Sequence, residues 1–376
     1  MDRATVAVAD FFFYGPLCHP PLLEAVVGRP VAMTPATLAD HAAFWAAGQV
    51  FAVIRAEAGA TTAGVVVAGL TVEEVARVEY YAQGFALGTG EVTLAGRARP
   101  VRVFVGPAGG QVGAPWSLND WVASHGAVVI ATARDVMSLR DQCPAARVAA
   151  RYPSLLVRGA SRLRAAAPTA PGVRRPPAPG DVTVAARRAP YAHFFAVEEY
   201  DLRHRRFDGT PGRVLERAVF VSADAATVLP YDPVRDRVMV IEQFRMGPFA
   251  RGDANPWQVE AIAGRVDPFE TPQDAARREA AEEAGLTLAA LHPVAGYYPS
   301  PGAKTEFLYS YVGIADLPDA AAGVGGLEAE GEDIRAHILP FHDLMAMIAR
   351  GEGANGPLIL SAYWLAANRE RLRTGR

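Results

Sequence analysis

Glu270, Arg278, Glu279, Glu282 and Glu283 crowd into one short stretch of the chain. Glu279, Glu282 and Glu283 follow an i, i+3, i+4 pattern, which on a helix puts all three on one face. Carboxylates so placed repel one another unless a cation sits among them. Hard cations such as Mg²⁺ prefer oxygen ligands. Glu270 can add a fourth carboxylate, and Arg278 a fixed positive charge that holds one of them in place. An acidic helix face turned to solvent would give the same isolated E-x-x-E-E, so the surrounding residues must decide between the two.

Those surroundings punctuate a helix. Thr271 is a good N-cap, Pro272 suits the first helical position, and Asp274 stands where a capping-box acid belongs. Gly285 is a natural stop. The predicted helix runs over about 272–284.

From Gly264 to Leu286 the spacing resembles the Nudix box, G-x5-E-x7-R-E-U-x-E-E-x-G-U, where U is a bulky aliphatic. Gly264, Glu270, Arg278, Glu279, Glu282, Glu283, Gly285 and Leu286 fit it, and Ala280 departs at the first U, a packing position. The resemblance implies an α/β/α sandwich hydrolase that cleaves a nucleoside diphosphate linked to another moiety, using Mg²⁺. Flanking segments are similar to the ADP-ribose pyrophosphatase branch: His204 to Gly209, Leu229 to Pro233, Glu242 to Arg245, Pro256-Trp257 with Glu260, and Ser300-Pro301-Gly302.

What the resemblance implies is carried residue by residue. Glu279 and Glu283 are the main metal ligands, joined by the backbone carbonyl of Ala263, with Glu270 able to contribute. Glu282 supports the cluster and Arg278 orients it. Arg245 contacts the substrate's phosphate or ribose, and Gly264 and Pro301 fall at substrate-side positions. The acidic segment 326–334 matches the mobile loop that bears the catalytic base, with Glu330 the first candidate and Glu332 the second. Read without the resemblance, that loop is simply a soluble acidic stretch.

At 376 residues the chain is long for one domain, and two are expected. Hydrophobic residues make up 51%, ample for two cores, and a net charge of −3 offers no field to draw the whole protein to nucleic acid or anionic membrane. The two cysteines, Cys18 and Cys143, form no C-x-x-C, which argues against a disulfide scaffold or thiolate zinc site. No secretory signal or transmembrane-length apolar run is evident, so a cytoplasmic protein is expected.

Residues 1–150 read as a mixed α+β domain. Expected elements include a buried strand over Ala7 to Tyr14, strand character over Phe44 to Arg55 and Gly64 to Leu70, a helix capped at Thr71, and an amphipathic helix over Trp116 to His125. Phe11-Phe12-Phe13-Tyr14-Gly15-Pro16-Leu17 resembles the strand-and-loop signature of the gamma-glutamylcyclotransferase-like fold, a mixed α+β barrel. In that family the loop holds substrate and a later glutamate is the acid/base. Here the glutamate position falls on Ala82, Pro16 replaces the loop Ser/Thr, and Glu79 lies one turn away, so a non-catalytic domain is expected. Residues 159–190 are rich in Pro, Ala and Arg and read as a linker. By the same resemblance, residues 191–376 are expected to form a Nudix domain, closed by an amphipathic helix over Leu358 to Arg373.

The reading that follows is Mg²⁺-dependent hydrolysis of ADP-ribose to AMP and ribose 5-phosphate, Mn²⁺ being a second possible metal. Cations neutralise the pyrophosphate and acidify bound water, and a glutamate takes the proton. A different nucleoside diphosphate sugar, a dinucleotide, and a nucleotide sensor with vestigial hydrolysis remain open. The resemblance implies a homodimer. The pairing of the two domain types is similar to the tellurite-resistance-associated Nudix proteins of bacteria, although no residue here coordinates tellurite in an evident way.

Overall fold

The computed structural model describes residues 9–106, 110–167, 172–326 and 331–375. The chain divides into two compact units, one running to Asp181 with Ala192–Phe194, the other comprising Val182–Tyr191 and Phe195–Arg376.

In the first unit β1 (Ala9–Phe13), α1 (Pro20–Val27), β2 (Thr34–Ala46), β3 (Ala52–Leu70), α2 (Val72–Tyr81), β4 (Ala86–Leu94), β5 (Arg97–Val105) and β6 (Val112–Pro115) precede a helical segment. The strands run β3-β1-β5-β4-β2, and β2 pairs back onto β3, closing a five-stranded barrel. Closure removes the free edges of the barrel strands. Its interior holds Phe12, Leu38, Ile54, Val66, Val92 and Val103. The strand expected over Phe44 to Arg55 is instead two strands, split by a turn in which Gly48 has φ +68°. The helix expected over Trp116 to His125 is α3 (Leu118–Trp121), which widens through a π-type turn at Val122–Gly126 into α4 (Ala127–Ser138). α5 (Ala145–Ala150) and α6 (Tyr152–Ala165) complete the unit.

The expected linker over 159–190 is corrected at both ends. α6 continues to Ala165 because Leu155, Leu156, Val157, Gly159 and Ala160 are buried along it, with Pro153 confined to its first turn. At the other end Val182–Ala192 is a strand, β7. Its arginines are strand residues that face carboxylates on the neighbouring strand β8 (Ala196–His204): Arg187 bonds Glu198 at 2.6 Å and Arg188 bonds Asp201 at 2.7 Å. β8 pairs in turn with β9 (Leu215–Val221), giving a three-stranded sheet.

The rest of the second unit is built on a larger mixed sheet. Its strands are β10 (Ala225–Asp232), β11 (Arg237–Phe244), β12 (Trp257–Glu260), β13 (Ile262–Arg265), β14 (Ala290–Tyr297), β15 (Leu308–Ile314), β16 (Gly323–Gly325) and β17 (Ile334–Pro340). Helices α7 (Met246–Arg251), α8 (Pro272–Ala284), α9 (Phe341–Ala349) and α10 (Gly356–Thr374) accompany them. The sheet order is β14-β15-β10-β11-β17-β16, with β12 paired to β11 and β13 to β10. Side chains alternate between two cores. Val228, Met239 and Ile241 pack with Ala275, Ala276 and Ala280 of α8. Leu229, Val238 and Val240 pack with Phe341, Leu344, Leu358 and Leu365 of the closing helices. That period of two makes the unit an α/β/α sandwich. Ala280 is fully buried on this inner face of α8, a position of packing rather than chemistry.

Candidate active site

α8 has the limits its sequence dictates. Thr271 and Asp274 form the reciprocal capping box, and Gly285 closes the helix at φ +62°. The three alanines bury one face, so Arg278, Glu279 and Glu282 come off the other flank and Glu283 lies at the seam, 2% exposed.

Arg278 is the hub. Its guanidinium bonds Glu270 Oε1 at 2.8 Å and Oε2 at 3.2 Å, Glu279 Oε1 at 2.7 Å, Glu282 Oε2 at 2.9 Å and the Arg265 carbonyl at 3.0 Å. Three carboxylates and a carbonyl around one planar fork use its geometry as well as its charge, and they hold its pKa well above the usual value. Glu270 also accepts from the Asp267 backbone N–H at 2.7 Å. Lysine carries the same charge without the fork. Arg278→Lys is therefore expected to cost about 1–2 kcal/mol of stability and roughly tenfold or more in activity, read by denaturant titration and initial rates. Unchanged values on both would show that the fork is dispensable.

Glu283 Oε2 accepts from the Ala263 N–H of β13 at 3.4 Å. Burial is the main cause that pushes Glu283 up to about 8, reinforced by the charges of Glu279 and Glu332. Burial likewise raises Glu279, and Arg278 opposes the rise. Glu332 thus faces the helix carboxylates from the segment before β17. Glu330 lies outside the described residues. Gly264 is the neighbour that leaves room for this cluster, because a Cβ there would sit 1.8 Å from Glu279 Oε1. Gly325 comes similarly close on the other side, where a Cβ would lie 2.6 Å from the Glu283 carbonyl.

The predicted site residues therefore converge for Ala263, Gly264, Glu270, Arg278, Glu279, Glu282, Glu283 and Glu332. Arg245 approaches from the end of β11. It bonds Glu260 Oε2 at 2.7 Å, and its charge is felt at Glu283. Pro301 lies apart from this network, in an exposed turn whose Ala303 carbonyl bonds the β9 residue Phe220 at 2.8 Å. Asn355 carries no signature at the distance in sequence that separates it from the box. Its Nδ2 donates to Glu260 Oε1 at 2.8 Å while its Oδ1 caps α10, tying that helix to the Arg245–Glu260 pair. The one local feature at this position is an asparagine before Gly-Pro, a pattern that suits a helix cap and says nothing of Glu260. A cavity of about 330 Å³ in the same unit is lined by Glu242, Asn255, Trp257, Val324, Asp333 and Arg335, and none of the clustered carboxylates lines it.

Oxygen donors of this kind suit a hard divalent cation. The repulsion around a buried Glu283, opposed in part by the Ala263 N–H and the Arg245 charge, is what such a cation would relieve. Among the described residues, no three His, Cys, Asp or Glu side chains already form a finished cage. Glu270, Glu279 and Glu282 share Arg278 instead.

Comparison with known proteins agrees with this arrangement. Residues 221–360 match the NUDIX domain. The chain is 36% identical over 193 residues to the ADP-ribose pyrophosphatase of Escherichia coli strain K12, covering 51% of this chain and 91% of that protein. It is 31% identical over 195 residues to that of Haemophilus influenzae, covering 51% and 89%. It is also 32% identical over 168 residues to the GDP-mannose pyrophosphatase of Yersinia pestis, covering 45% and 83%. The chain belongs to the Nudix family and is a Nudix pyrophosphohydrolase. No helix among the described residues is long and apolar enough to cross a membrane.

Proposed function

We propose that the second unit hydrolyses the pyrophosphate of ADP-ribose, with Mg²⁺, to AMP and ribose 5-phosphate. The observation that carries this reading is Glu283, buried against the Ala263 N–H beside the Arg278-bound carboxylates and raised first by that burial and then by the charges of Glu279 and Glu332. The two ADP-ribose pyrophosphatase relatives support the substrate. Glu279, Glu283 and the Ala263 carbonyl would hold the cation, and Glu270 would contribute through Arg278, to which it is bonded. A cation held there would supply neutralising charge for the pyrophosphate and lower the pKa of a water.

The chain's own groups do the rest. Arg245, preset by Glu260 and Asn355, receives a phosphate or ribose oxygen. Glu282 fixes Arg278 and through it Glu279. Gly264 borders the substrate, and Pro301, which lies apart from the carboxylates, keeps a substrate-side role on the resemblance alone. Water adds across one P–O bond of the bridge, and Glu330 or Glu332 accepts its proton.

The test is AMP release from ADP-ribose and Mg²⁺, followed by chromatography, with Glu283→Gln alongside. Rapid release that the variant loses supports the reading, and absence of turnover by the unaltered protein ends it. The similarity to GDP-mannose pyrophosphatase favours a second reading, another nucleoside diphosphate sugar, which turnover on a substrate panel separates from the first.

A homodimer belongs to the same proposal. Exposed Phe244, Met246, Phe249 and Trp257 form an apolar group of the kind that marks an interface or binding surface. Light scattering after size exclusion is expected to give twice the chain mass. A monomer at micromolar concentration would end that part.

A further inference from the structure

The first unit contains a cavity of about 510 Å³ bordered by the loop after β1, larger than the one lined by Glu242, Asp333 and Arg335 in the second unit. This volume falls within the range of sites that take small organic molecules. The loop after β1 forms one wall and the end of α2 another, with α4 and the α5–α6 junction behind.

Three features make it a built site rather than a gap. Gly15 holds φ +83° and ψ −149°, a conformation side chains do not adopt, and a Cβ there would meet Ala52 at 3.0 Å. The loop thus depends on glycine where it borders the cavity. Tyr14, in the wall, is fixed by a buried bond from its hydroxyl to the Phe104 carbonyl at 2.7 Å. Phe51 and Phe85 meet edge to face at 5.2 Å, presenting an aromatic wall.

The chemistry of the lining is specific. None of the described lining residues is Asp, Glu, Lys, Arg or His. The polar side chains of its other lining residues are neutral: Gln49 and Gln83, and Tyr81 and Tyr152, whose hydroxyls bond each other. Ala82 contributes only a methyl group, and Glu79, one turn away, is engaged by Arg102 at 3.0 Å. A charged ligand would lose its hydration here without a partner, whereas an uncharged one loses little. Proton transfer lacks a carboxylate or imidazole among these residues, so the site suits binding rather than turnover.

We propose that the first unit binds one uncharged aromatic molecule bearing a hydroxyl or carbonyl group in this cavity. The rings of Phe51 and Phe85 take its apolar body, and the tyrosine hydroxyls and glutamine amides take its polar group. The inference does not rest on the hydrolytic reading, because a titration of this cavity reads the first unit alone.

The experiment is calorimetric titration of the full chain at pH 7 with 2-naphthol and, separately, with 2-naphthoate, which presents the same ring with a negative charge. The expected result is saturable binding of one 2-naphthol per chain, with 2-naphthoate weaker by at least about tenfold. Ala82→Trp and Ala149→Trp each place bulk at the lining. Loss of 2-naphthol binding in either variant, with its near-ultraviolet circular dichroism intact, locates the molecule in the cavity. No saturable binding of 2-naphthol, equal binding of 2-naphthoate, or undiminished binding in both variants overturns the proposal.

Discussion

Glu283→Gln is expected to abolish hydrolysis and, in the metal-free protein at pH 8, to make the second unit more stable. The two effects have one cause. Glu283 is almost wholly buried and lies near Glu279 and Glu332, and its pKa rises from 4.5 to about 8. A folded state that holds a proton the unfolded chain has released loses stability as pH climbs through that interval. The sign follows: the raised acid contributes fully below 4.5 and its contribution is gone above about 8. Glutamine keeps the shape, can still accept from the Ala263 N–H, and carries no charge to desolvate. The gain at pH 8 is then on the order of 2–4 kcal/mol, vanishing toward pH 4.5. Loss of a main metal ligand should lower the hydrolysis rate by roughly a hundredfold or more. Melting curves in chelator at pH 5 and pH 8.5, with initial rates in Mg²⁺, measure both. A variant equally destabilised at both pH values would mean that the burial of Glu283 is not under electrostatic strain.

That prediction also shows what the sequence could convey. The helix over 272–284 was legible to the residue because its punctuation is local. Thr271, Pro272, Asp274 and Gly285 act on backbone groups within a turn of themselves. The alignment of Glu279, Glu282 and Glu283 followed from helical period alone. The Arg245–Glu260–Asn355 chain was not legible as a unit, because it joins the ends of β11 and β12 to the cap of α10. Only the closed sheet brings them together.

The misread segments have equally physical reasons. Residues 159–190 are Pro- and Arg-rich on average, yet their ends join regular elements whose partners lie elsewhere. Arg187 and Arg188 fall within the segment read as a linker, whereas a neighbouring strand supplies them with Glu198 and Asp201. Composition averages over a window, and pairing acts residue by residue. A barrel was expected of the first unit from the Phe11 to Leu17 motif, whereas its strand order, with β2 closing onto β3, is set by the whole sheet.

Gly264→Ala should remove most of the activity with only a modest effect on folding. Gly264 does not need glycine for its backbone, as it is absent from the positions of positive φ. It needs glycine for space. The added Cβ would lie 1.8 Å from Glu279 Oε1 and 1.9 Å from Cδ, so the carboxyl group must swing away. The end of a side chain can move at small cost, about 1–2 kcal/mol here, because Glu279 surrenders its bond to Arg278. A carboxylate that has moved is no longer where a cation needs it, and a rate loss of roughly a hundredfold is expected. A double-mutant cycle isolates the cause. In a Glu279→Ala background the obstructing carboxyl is gone, so Gly264→Ala should then alter stability by less than about 0.5 kcal/mol and activity hardly at all. Additive losses would instead place the role of Gly264 in its own backbone, and the contact with Glu279 would have to be abandoned as the reason for the glycine.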